Sequence, residues 1–116
     1  MRSSILLLSL ILSVLVAQPS FSSGTHISGS NADYPLSVFA IDLDSDGDVD
    51  ILSASYQDNK ISWFKNNGAA DPSFTFYGNI SPTANASGAT SVYAVDVDGD
   101  GDIDVLSASW TDDKIA

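Results

Sequence analysis

Hydrophobic and polar positions along the chain fall into two regimes. From Ile5 to Ala17 the residues are apolar apart from Ser9 and Ser13. Further on, apolar and polar or small residues alternate with period two, the signature of strands with one face in a core. Val38, Ala40 and Asp42 alternate with Phe39, Ile41 and Leu43, which predicts a first strand. Ile51 to Ser55 reads as a second, and Lys60 to Lys65, rich in β-formers, as a third. Gln57-Asp58-Asn59 is the turn between them. Asn66-Asn67-Gly68 and Asp71-Pro72 punctuate, and Ser73 to Ile80 supplies a fourth strand. Helical periodicity is absent after the leading segment. The expected class is all-β.

The pattern repeats. Ser37 to Ser55 recurs as Ser91 to Ser109 at an offset of 54 in all nineteen positions. The correspondence continues through Tyr56/Trp110, Asp58/Asp112, Lys60/Lys114 and Ile61/Ile115, and substitutions keep the chemical class. Two copies of one unit are present: 37–90, and 91–116, where the second stops partway through its third strand. Four short antiparallel strands per unit match a propeller blade. The segment 23–36 is then a linker carrying an outer strand, Thr25 to Ser28, of a preceding or closing blade; it resembles Gly78 to Ser81, with His26 matching Asn79. The 94 residues after Ser22, divided by 54, make about 1.7 four-stranded blades, whereas closed propellers have four to eight. The chain is therefore expected to be a partial β-propeller, with further blades to be supplied.

The leading apolar run is thirteen residues long, and a helix needs about 20 to cross a bilayer core. Arg2, the apolar stretch and the small residues at Ser20 and Ser22 follow the order of a secretory signal peptide over 1–22. No cysteine follows, which excludes a lipoprotein anchor. The mature chain, with no membrane span, is expected to be secreted, extracellular or at the cell surface.

Composition sharpens the reading. The 15 acidic residues are all aspartate, against four basic ones, for a formal charge of -11. Such a balance argues against nucleic acid, whose phosphates need a basic footprint. There is no cysteine and a single histidine, His26, so thiolate sites, disulfides and catalytic triads have no material. The acidity is local: five aspartates lie in 42–50 and five in 96–104. On an extended strand those carboxylates would crowd one face, and something must neutralise them. Aspartates at loop positions 1, 3 and 5 with glycine at 6 is how a short loop wraps a hard cation. Calcium suits the pattern, since it accepts six to eight oxygens in flexible geometry, while zinc or copper would recruit histidine or cysteine. In the first loop the expected ligands are Asp42, Asp44, Asp46 and Asp50, with the carbonyl of Asp48. In the second they are Asp96, Asp98, Asp100 and Asp104, with the carbonyl of Asp102. That makes two calcium sites. An EF-hand would carry glutamate at position 12, where this chain has Ser53 and Ser107.

The motif Ser-Val-x-Ala-x-Asp-x-Asp-x-Asp-Gly-Asp-x-Asp-x-Leu-Ser-Ala-Ser, followed by Asp-x-Lys-Ile, resembles the FG-GAP-like (VCBS) repeat family, related to the integrin alpha-subunit N-terminal propeller. The resemblance covers about 24–116. It implies a secreted or surface β-propeller with calcium loops between the first two strands of each blade, and no single activity. Three functions compete. The first is adhesion, recognition or surface structure, with an extracellular protein or glycan as partner and no enzymatic role. The second is a carbohydrate-binding or polysaccharide-active propeller, for which Tyr56, Trp63, Phe64 and Trp110 would be the stacking surfaces, although packing explains repeated aromatics more simply. The third is a truncated product with no activity of its own.

Overall fold

A computed structural model describes residues 24, 26–81 and 85–116. The leading segment 1–22, expected to be a signal peptide, lies outside them, as does Thr25 of the expected outer strand; His26 to Ser28, the rest of that strand, pair with no sheet. Seven strands follow: β1 (Pro35–Ile41), β2 (Asp50–Ser55), β3 (Lys60–Asn66), β4 (Phe74–Asn79), β5 (Ala89–Val95), β6 (Asp104–Ser109) and β7 (Lys114–Ile115). They form two antiparallel sheets, β1-β2-β3-β4 and β5-β6-β7. No α-helix occurs among the described residues.

The two sheets are built in the same register. Phe39 pairs with Leu52 and Ile41 with Asp50; 54 positions on, Tyr93 pairs with Leu106 and Val95 with Asp104. Each first strand has an irregularity at its start, between Pro35 and Ser37 and between Ala89 and Ser91. The equivalence reaches further back than the recurring sequence. Tyr56 N–H donates to Tyr34 O (3.1 Å) and Gln57 N–H to Asp33 O (3.2 Å). Trp110 N–H to Gly88 O (2.9 Å) and Thr111 N–H to Ser87 O (3.1 Å) are their copies.

Alternation gives each sheet two faces. On one lie Phe39, Ile41, Leu52, Ala54, Ile61 and Trp63; on the other, Val38 and Ala40. The second sheet turns its copies of that second face, Val92 and Ala94, onto the first face of the first sheet. The core therefore lies between the sheets: Leu52, Ala54, Ile61, Ala86, Ala89, Val92 and Ala94 are buried, with Phe39, Ile41, Leu43, Trp63, Ile103 and Val105 packed around them. Small residues in β2 and β6, the Ser-Ala-Ser stretches, keep the strands slim enough for close approach. Burying each larger aliphatic contributes roughly 1.5–3 kcal/mol.

Candidate metal centre

The chain between β1 and β2, and between β5 and β6, turns back on itself under electrostatic and steric constraint. Five carboxylates cannot stay on one extended face, so strand pairing stops at Ile41 and Val95 and the backbone coils around its first aspartate. Asp42 accepts the N–H of Asp46 on Oδ1 (3.1 Å) and of Gly47 on Oδ2 (2.9 Å). Asp96 does the same for Gly99 (2.7 Å) and Gly101 (3.0 Å). Gly47 (φ 95°) and Gly101 (φ 99°) occupy the left-handed region at loop position 6, where a Cβ would be strained. Both expected glycine turns are present.

The folding of each loop gathers its acids. One carboxylate oxygen from each of Asp42, Asp44 and Asp46 lies within 4.8 Å of the others, and Asp96, Asp98 and Asp104 make a second such group. Each group could hold a metal ion. The other expected ligands are placed differently. Asp50 is fully buried; its Oδ2 accepts the Trp63 indole N–H (3.0 Å) and its Oδ1 the backbone N–H of Asn66 (2.8 Å). Its copy Asp104 is exposed and accepts the N–H of Val97 on Oδ2 (3.0 Å). Asp100 stands outside its group and accepts the N–H of Asp102 (2.9 Å), as Asp46 accepts that of Asp48 (3.0 Å). The Asp48 carboxylate lies against Gly68, where an added Cβ would run into its Oδ2.

One residue of the first centre has no counterpart in the sequence pattern. Lys65, in β3, sets its ammonium between Asp44 and Asp46, bonded to Asp44 and 3.0 Å from Asp46 Oδ2. The bond to Asp44, then that to Asp46, raises the Lys65 pKa above its ordinary value. Asp46 is correspondingly held below 3.8, chiefly by the Asp48 N–H and next by Lys65. A cation seated among these oxygens fits the donor set: the ammonium stands where a metal ion would neutralise the same charges. The repeat named neither Lys65 nor Asn66, and the bonds that tie Asp50, expected as a ligand, to Trp63 and Asn66 were not foreseen. A lysine following the Trp-Phe of a third strand is the signal that was available.

A family model for FG-GAP-like repeats matches residues 42–107, from the first aspartate of the first loop to Ser107 in β6. The chain belongs to the FG-GAP-like repeat family. That match spans both aspartate loops and the sheet that joins them, so it rests on the same elements that build the two acidic groups. Nothing matches among the curated proteins or the solved structures. The FG-GAP-like repeat places the two sheets among β-propeller repeat proteins. No helix among the described residues is long and apolar enough to cross a membrane.

Proposed function

We propose that this FG-GAP-like repeat protein is a secreted or surface-exposed calcium-binding propeller module serving adhesion, recognition or surface structure, and not catalysis. The observation that carries the reading is the duplication of the acidic group: two loops, each stapled by its first aspartate, gather three carboxylates within 4.8 Å. An all-oxygen, all-carboxylate set favours a hard cation, and calcium's flexible coordination suits a loop that supplies ligands at alternate positions. Asp42, Asp44 and Asp46 would hold one ion, and Asp96, Asp98 and Asp104 the other, with the remaining acidic residues of each loop close in sequence.

The ion's role in this reading is structural. A ligand that binds only the folded state stabilises it by about 2.7 kcal/mol at a hundredfold excess over Kd. Aspartates committed to a cation make poor general bases, because the bound charge keeps them ionised. The sugar-binding alternative draws on Trp110, which is three-quarters exposed. Its copy Tyr56 packs its ring on Tyr34 and beside Gly88, so packing accounts for the aromatic at that position. The extracellular partner is a protein or glycan, and further blades complete the propeller.

Thermal melts of the full chain in calcium, in magnesium and in chelator test the ion reading. A midpoint raised by calcium well above that in magnesium supports it; coincident melts in all three contradict it. Export is tested separately: N-terminal sequencing of the product recovered from its host should begin near Ser23.

A further inference from the structure

The loop from β3 to β4 closes on one side chain. Asn67 N–H donates to Ser73 O (3.1 Å), and the Asn67 side-chain carbonyl completes the clasp by accepting the Ser73 N–H (3.0 Å). The same Oδ1 also accepts the N–H of Ala69 (3.2 Å). A bond from an asparagine to the second residue ahead curls the carboxamide back over its own next peptide, which brings Cγ toward the Gly68 nitrogen. Asn67 is the one asparagine of the chain that glycine follows, and both residues are exposed. Gly68 carries no side chain to crowd a ring formed there. Its N–H is held by the Asn66 side chain (Oδ1, 3.1 Å) and by no strand ladder. Two backbone N–H groups thus already point at the oxygen that becomes negative when a nucleophile adds to Asn67 Cγ. Fixed donors of that kind stabilise an oxyanion, and a nucleophile on the adjacent residue is present at high effective concentration.

We propose that Asn67 is a self-modifying site, at which the folded loop converts the asparagine through a cyclic imide to aspartate or isoaspartate. The Gly68 nitrogen gives its proton to water and bonds to Asn67 Cγ. The Cγ–Nδ2 bond then breaks, and Nδ2 takes up a proton and leaves as ammonia. Water opens the imide at either carbonyl, so the reaction consumes one water, releases one ammonia and needs no oxidant. The loop gains a carboxylate in either product, and in isoaspartate the main chain runs through the former side chain and lengthens by one carbon. The change falls beside the first acidic loop, because the Asp48 carboxylate lies against Gly68 and Asn66 Nδ2 donates to Val49 O (3.0 Å). The inference rests on the hydrogen bonds of the β3–β4 loop and stands apart from what the aspartates bind.

Peptide mapping by mass spectrometry follows the full chain at mildly alkaline pH, folded in buffer and, in parallel, unfolded in guanidinium chloride. The species that has lost ammonia should appear first and the acid after it, both at Asn67, several-fold faster in the folded chain than in the unfolded one. Methylation by an isoaspartate-specific methyltransferase counts the lengthened product. Ser73→Pro removes the N–H that Oδ1 accepts and keeps the carbonyl that Asn67 N–H uses. That variant should lose the advantage of the folded chain and match wild type in denaturant. Should it lose its sheet signal in circular dichroism, the comparison of folded with unfolded wild type still decides. A folded chain that converts no faster than the unfolded one, or a folded Ser73→Pro that keeps the wild-type rate, would overturn the proposal.

Discussion

Ser45 sits at φ 62°, in the left-handed region, and its copy Gly99 at φ 80°. For a residue with a Cβ that conformation costs about 1–2 kcal/mol, while glycine's extra freedom in the unfolded chain returns roughly 0.5–1 kcal/mol. Ser45→Gly should therefore stabilise the chain by about 0.5–1 kcal/mol, and Gly99→Ser should destabilise it by a similar amount, both read from chemical denaturation in chelator. Lys65 carries the second residue-scale expectation. Its ammonium competes for Asp44 and Asp46, so Lys65→Met should tighten cation binding at the first loop several-fold and weaken the cation-free fold. The pH dependence follows. Asp46 titrates lower in the folded chain than its ordinary 3.8, so its contribution is complete above that value and disappears as pH falls through the lower folded one. Lys65 titrates above its ordinary 10.5, so its contribution is complete below that value and is lost as pH rises through the higher folded one. In chelator, the melting advantage of wild type over Lys65→Met should be flat between those ordinary values and shrink beyond either end. The aspartates and glycines of the loops were legible in sequence because period-two acids on a strand conflict with Coulomb repulsion wherever they stay extended. The Lys65 contact was not, because it joins residues 21 apart through the placement of β3 beside the loop.

At the scale of strands, the same aspartate does different work in the two units. Asp50 is buried and bonded to Trp63 and Asn66; Asp104 is exposed and accepts only the backbone N–H of Val97 among the described residues. Removing a buried acceptor leaves each donor unsatisfied at about 1–3 kcal/mol. Asp50→Ala should therefore cost about 2–4 kcal/mol, and Asp104→Ala under about 1 kcal/mol, by urea titration in chelator. Equal losses would show that Asp50 acts only as a loop residue. The strands themselves were readable from alternation, and β2 and β3 fall within a residue of expectation. The start of the unit was not. Asp33-Tyr34-Pro35-Leu36 and Ser87-Gly88-Ala89-Thr90 share no chemistry, yet Tyr34 (φ 56°) and Gly88 (φ 66°) hold one backbone conformation and make the same hydrogen bonds. What is kept there is a turn, which side-chain identity does not record.

For the molecule as a whole, the repeat in sequence becomes two sheets stacked through unlike faces. Which face each unit buries was hidden in the sequence, since Val38 and Val92 are the same residue in the same motif. Val92→Asp places an unpaired charge between the sheets and should cost several kcal/mol, whereas Val38→Asp should leave the fold of a single chain intact; circular dichroism melts at low chain concentration separate the two. The duplicated acidic loops are the centre of the account, and a cation count tests them most directly. Calorimetric titration of the full chain with calcium should give two sites, with Asp44→Ala/Asp46→Ala leaving one and magnesium binding far more weakly. No calcium-specific heat, or equal preference for magnesium, would contradict it.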